Sequence, residues 1–211
     1  MVCRSGFSHP YLWHIIVRKR FIRFLKSATE LLAGIPSVVY GFFGLVVIVP
    51  MIRNYTAAQG IGGNGQTMLT ASIILGIMIL PTIIGVTESA MRSVPDQYYE
   101  GSLALGATKE RTIFRIVIPA AKSGVIAGIV LGIGRAIGET MAVIMVAGNQ
   151  PRMPQGILEG VRTMTTNIVM EMGYAADLHR EALIATAVVL FVFILIINAC
   201  VSLLNRRSEN D

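Results

Sequence analysis

Residues 182–204 read ALIATAVVLFVFILIINACVSLL, without one Asp, Glu, Lys or Arg. A helix needs about 20 such residues to cross the roughly 30 Å hydrocarbon core of a bilayer. Three further runs of the same kind come before it: Leu31–Ile52, Met68–Thr87 and Ser123–Ala147. Only the last of these carries charge, at Arg135 and Glu139. With 54% hydrophobic and 14% charged residues among 211, the composition excludes an ordinary soluble domain. It predicts an all-α, polytopic membrane helix bundle with four spans.

The expected layout is a basic N-terminal segment over 1–30, a membrane domain over 31–204 and a tail over 205–211. Within the domain, spans are expected at about 31–52, 68–90, 122–147 and 182–204. A loop over 91–121 and a longer connection over 148–181 join them. The net charge of +6 is unevenly placed. Thirteen Lys and Arg flank the spans at the N-terminus, the 91–121 loop and the C-terminus, against four on the other side (Arg53, Arg152, Arg162 and Arg180). The positive-inside rule therefore puts both termini and the 91–121 loop in the cytoplasm, and the charge requires no nucleic-acid partner. Lipid is the expected surrounding. Cys3 and Cys200 are poorly placed for a disulfide or a metal site. Met1–Phe7 has no signal-peptide pattern.

Local signals refine the bundle. Ile22, Leu25 and Phe21 share a face within Val17–Ser27, among basic residues, which reads as a short interfacial helix or a charge cluster fixing orientation. Pro36, Gly41, Gly44, Pro50, Gly76 and Pro81 predict kinked helices that repair their backbone hydrogen bonds through neighbours. Residues 53–67 read as a flexible glycine loop. Its Gly60–Gly65 stretch has no strand before it and is not a phosphate-gripping fingerprint. In the third span Gly124, Gly128 and Gly132 recur every four residues, with Gly134 and Gly138 on an adjacent face. Such spacing lets helices pack backbone to backbone. Apolar residues from Ile157 to Met172 predict an amphipathic helix in the 148–181 connection.

Two features carry chemistry. Arg135 and Glu139 stand four apart, on one face of the expected helix. Either charge at mid-bilayer costs about 2.5–3.5 kcal/mol, so both must face the bundle, water or each other. One reading is an ion pair that fixes packing. The other is a guanidinium offered to a tetrahedral oxyanion, with Glu139 holding or releasing it. Glu88 is a weaker third candidate and reads better as an interfacial carboxylate. His9, His14 and His179 form no metal-ligand cluster, and no catalytic set or ATP-binding loop is present. Energy would have to come from a partner.

The second feature is the loop EGSLALGATKERTIFRIVIP, Glu100–Pro119. Asp96–Leu105 predicts a helix with Asp96 and Glu100 early in it, ended by Gly106. Thr108 is expected to cap a second helix from Lys109 to Ile118, which Pro119 ends. Its length exceeds what a connector needs.

The Glu100, Gly106 and Ile116–Pro119 spacing resembles the EAA loop of ATP-binding-cassette importer permeases, with Gly101-Ser102 and Ile118 as mild departures. Glu30–Leu45 (ELLAGIPSVVYGFFGL) and Gly132–Asn149 (GIGRAIGETMAVIMVAGN) look like the phosphate-specific permeases of the PstC type. Gly160–Tyr174 and Leu178–Ile197 resemble them too. The resemblance implies ATP-driven phosphate uptake with a second permease subunit, ATPase subunits on the loop and an extracytoplasmic phosphate-binding protein. ATP and Mg would sit on the ATPase, with no cofactor on this chain. It also implies functional importance for Arg135 and Glu139, and about six spans, two more than the four found here. An ATP-independent anion channel or carrier, and a non-transporting fragment, are the competing readings. Internal inverted repeats, which would favour a carrier, are not evident.

Overall fold

The computed structural model describes residues 19–209, and all the regular elements among them are helices. The expectations on Met1–Phe7, Cys3, His9 and His14 lie outside the described residues, as does the start of the Val17–Ser27 segment. The first helix, α1, covers Lys19–Gly34. A break at Ile35-Pro36 separates it from α2, Ser37–Ala58. Then come α3 (Met68–Arg92), α4 (Asp96–Ala104), α5 (Lys109–Ala120), α6 (Lys122–Gly138), α7 (Met141–Val146), α8 (Met164–Glu171) and α9 (Asp177–Glu209). Ser37–Ala58, Met68–Arg92 and Asp177–Cys200 are each long and apolar enough to cross a membrane. Helices α5 and α6 pass that test only together, across a 68° bend.

Several boundaries depart from the sequence-based expectations. The first apolar run is not one helix over 31–52, because Leu31–Gly34 end α1 and the long helix begins at Ser37. The residue before a proline disfavours helical backbone, and Ile35 precedes Pro36. Tyr40 Oη closes the break by donating to the Leu32 carbonyl over 2.8 Å. Helix α2 then runs through Ala58, so the loop after it is shorter than 53–67.

The third span is also divided. Helix α6 ends at Gly138, and α7 starts only at Met141. Seventeen residues at about 1.5 Å each span roughly 26 Å, short of a full crossing. Finally, Ile157–Val161 is not helical. It forms a strap whose polar backbone serves other elements. The Glu159 and Ile157 carbonyls accept from the Met68 and Leu69 N–H groups, at 2.8 and 2.9 Å, completing the N-terminus of α3. Val161 N–H donates to Ala147 O at the end of α7, at 2.9 Å. Helix α8 therefore starts only at Met164, where the Thr163 hydroxyl accepts from Thr166 N–H.

Pro50 and Pro119 lie inside helices without ending them. Gly44–Ile48 and Ile113–Val117 each widen into a π-helical turn, which closes two residues before the proline in both cases. A widened turn removes the hydrogen bond that proline cannot donate, so the helix continues. Pro119 accordingly does not stop α5, which runs to Ala120 before the bend at Ala121.

The bundle is held by small residues at its crossings. A Cβ on Gly41 would lie 2.8 Å from Ala142 Cα, and one on Gly44 would lie 2.8 Å from Val146 Cγ1. Around these contacts Tyr40, Ile74, Met78 and Ala142 form one buried cluster, and Val49, Ala71, Val143, Val146 and Ala147 form another. Helix α9 keeps most of its apolar surface exposed, as lipid-facing helices do.

Candidate functional site

Arg135 lies in the last turn of α6, about 20 Å along the helix from Lys122. Its Nη1 donates to Thr82 Oγ1 on α3, at 3.1 Å. The remaining guanidinium donors have no protein partner among the described residues, and the side chain is exposed. The crossing of α6 on α3 fixes this geometry. Gly124 abuts Ala90, Gly128 abuts Val86 and Gly132 abuts Ile83, in four-residue steps. Gly134 and Gly138, expected to pack in the same way, face open space in this chain.

Glu139 does not sit on a helical face with Arg135. It comes just after the end of α6 with extended backbone, φ −69° and ψ 131°. Its Oε1 accepts from Ala142 N–H at 3.0 Å, so the carboxylate serves the first turn of α7. Among the described residues no ion pair joins it to Arg135. Gly138 is a weak helix former and the Glu139-Thr140 pair offers the backbone a competing cap, which gives the break a local cause. The Glu139 carbonyl accepts from Thr165 Oγ1 on α8, at 3.2 Å.

Helix α8 is itself anchored. Arg162 donates through Nε to the Asn149 carbonyl at 3.0 Å, and through Nη1 to Asn167 Oδ1 and the Glu171 carboxylate. Glu171 Oε2 also meets His179 Nε2 on α9, at 2.9 Å. Sequence reasoning missed Thr82, Thr165 and this network. The readable signals were a hydroxyl directly after Pro81 and the Thr163/Thr166 capping pattern. Glu88 pairs with Arg92 and Lys26 at the far end of α3, away from Arg135.

The 91–121 segment projects as a two-helix knob. Gly106 has φ +85°, left-handed backbone that favours glycine. Around it the Gly106 and Ala107 N–H groups donate to Leu103 O and Ser102 O, closing α4. Thr108 Oγ1 accepts from Arg111 N–H and caps α5. Buried Ser102 and Thr112 meet at 2.9 Å and join the two helices. The Thr112 hydroxyl donates to Thr108 O, so Ser102 is the donor of that pair. Glu100, Gly106 and Pro119 are exposed and Ile116 is half-buried. The same knob exposes Tyr98, Leu105 and Phe114. Leu105 is 91% exposed, an unusual position for an apolar side chain beside a tight turn.

Kinked, glycine-packed membrane helices, a charged break in one of them and a projecting helical knob are the architecture of an ABC importer permease. The crystal structure of a bacterial ABC transporter involved in the import of the acidic polysaccharide alginate has this fold. The likeness covers 93% of this chain and 70% of that one, with TM-score 0.52 at 18% identity. The model of the binding-protein-dependent transport system inner membrane component family matches residues 13–210, and the chain belongs to that family.

Similar relatives include the probable ABC transporter permease protein YqgH of Bacillus subtilis, 42% identical over 82% of this chain and 57% of the relative. The phosphate transport system permease protein PstC of Xylella fastidiosa Temecula1 is 39% identical, over 80% of this chain and 56% of its own. PstC 1 of Mycobacterium tuberculosis is 34% identical, over 90% of this chain and 62% of its own. The chain thus spans less than two thirds of the length of these relatives.

Proposed function

We propose that this chain is a permease subunit of an ATP-driven importer of inorganic phosphate, and that Arg135 lines its substrate path. The observation that carries this reading is the Arg135 guanidinium, exposed at the end of α6 with donors unused by protein among the described residues. A planar fork of cationic N–H donors suits a tetrahedral oxyanion. The relatives named as phosphate transport permeases favour phosphate as that anion. Glu139, tied to the first turn of α7, sits where α6 and α7 separate, so a change at the break moves the two half-helices relative to each other.

ATP and Mg belong to a partner ATPase, which docks on the knob around Glu100, Gly106, Ile116 and Pro119. The exposed Tyr98, Leu105 and Phe114 give that docking an apolar contact. A second permease subunit completes the path, and an extracytoplasmic phosphate-binding protein delivers substrate at the end carrying the 148–181 connection. Both termini and the knob face the cytoplasm, in keeping with the positive-inside charge distribution.

The test is phosphate uptake in a strain lacking its own high-affinity system, complemented with this chain and its partner subunits. Arg135→Ala, at wild-type membrane levels, is expected to abolish uptake while leaving ATPase co-purification intact. Normal uptake by that variant would reduce Arg135 to a packing role. Failure of the intact chain to retain any ATPase would favour an ATP-independent carrier.

A further inference from the structure

Thr82 sits on α3 directly after buried Pro81, and its hydroxyl makes no bond back to its own helix. Ser72 and Thr186 each donate back to the carbonyl four residues earlier, at 2.8 and 2.9 Å. That local bond is the usual fate of a hydroxyl inside a helix. Thr82 Oγ1 instead accepts from Arg135 Nη1 across the α3–α6 crossing. Among the described residues its own O–H has no acceptor.

The contact sits beside a close crossing of the two helices. Ile83, the next residue on α3, lies against Gly132, three residues before Arg135 on α6. The guanidinium is therefore fixed through one acceptor, Thr82, while Glu139 is engaged with α7. One hydroxyl proton and the remaining guanidinium N–H groups form a cluster rich in donors, which suits an oxyanion and repels a cation.

We propose that Thr82 is a positioning residue that orients the Arg135 guanidinium and contributes its own O–H donor to the oxyanion held there. This rests on Arg135 lining the substrate path. Valine keeps the shape of threonine and removes the hydroxyl, whereas serine keeps the hydroxyl. In the complemented strain, Thr82→Val is expected to lower phosphate uptake at saturating substrate by about tenfold, the scale of a lost hydrogen bond to a charged group. Thr82→Ser is expected to recover uptake to within about twofold. If serine fails as badly as valine, restoring the hydroxyl does not restore uptake, and the proposal falls.

A second readout is independent of transport. Phenylglyoxal labels free guanidinium groups, and its rate at Arg135 can be followed by mass spectrometry in the detergent-solubilised full chain. Faster labelling at Arg135 in Thr82→Val, with no change at Arg152, supports positioning. Protection of Arg135 by inorganic phosphate, strong in the wild type and weak in Thr82→Val, supports the shared donor. Equal labelling in both proteins would overturn positioning even if uptake fell. Conversely, wild-type uptake by Arg135→Ala together with altered labelling would sink the substrate-path reading and leave the Thr82–Arg135 contact standing.

Discussion

Replacing Gly124 with alanine puts a number on the α3–α6 crossing. A Cβ there would lie 2.3 Å from Ala90 Cβ and 3.5 Å from Ala90 Cα. Carbon atoms rest at about 3.5–4.0 Å, so the helices must part by about 1.2–1.7 Å. Ala90 has no flexible end to swing aside. Parting there also loosens the Gly128–Val86 and Gly132–Ile83 contacts further along. Overpacking of this kind costs about 1–3 kcal/mol. Alanine also gains about 1 kcal/mol of helix propensity over glycine, which masks part of the cost.

Gly134 provides the control, because it has nothing within 4 Å and gains the propensity without a collision. The difference between Gly124→Ala and Gly134→Ala isolates the collision at about 1–3 kcal/mol. For a chain of this size that is roughly 2–12 °C in the thermal midpoint of the detergent-solubilised protein. Adding Ala90→Gly to Gly124→Ala moves the methyl group across the interface and is expected to restore most of the loss. Equal midpoints for the Gly124 and Gly134 variants, or no rescue by Ala90→Gly, would refute the packing account.

Arg162→Ala removes the cation joining Asn149, Asn167 and Glu171, leaving a mostly buried carboxylate with His179 as its remaining partner. It is expected to destabilise the chain by about 2–4 kcal/mol and to speed hydrogen exchange over 149–171; a midpoint within error of wild type would contradict this. Ser102→Ala removes the donor to Thr112 between the two helices of the knob. It is expected to cost about 1 kcal/mol and to raise exchange in 96–112 alone. Combining it with Thr112→Val should add less than the sum of the two, and strict additivity would argue against the bond.

Apolar length was readable directly, because crossing a bilayer leaves little freedom in composition. The Gly106 turn and the Thr108 cap were readable for a similar reason, since each is a local backbone requirement met by a particular residue. The divisions of the first and third runs were harder. Pro36 and the Gly138-Glu139-Thr140 triplet both carry break signals, yet each lies inside an apolar run whose average hides it. The Arg135–Glu139 spacing implied a shared helical face only while the helix was assumed continuous. The strap at Ile157–Val161 was illegible for a different reason. Its apolar spacing fits a helix, but its Ile157 and Glu159 carbonyls are committed to Leu69 and Met68 at the start of α3, remote in sequence and adjacent only in three dimensions. Thr82 was visible as a hydroxyl directly after Pro81, but its partner Arg135 could not be assigned without knowing which face of α3 meets α6.

The widened turns before Pro50 and Pro119 bear on how these helices tolerate insertion and deletion. Each inserts one extra residue into its helix, and one residue rotates the remainder of that helix by roughly 100° about its axis. Met51 to Ala58 therefore point about a quarter turn away from where an unbroken helix would aim them. Deleting one residue from Gly44–Ile48 would rotate that half of α2 against its neighbours while leaving the apolar composition almost unchanged. Such a deletion would be invisible to hydropathy and severe in the bundle. Phase, as well as greasiness, is encoded in these two short stretches.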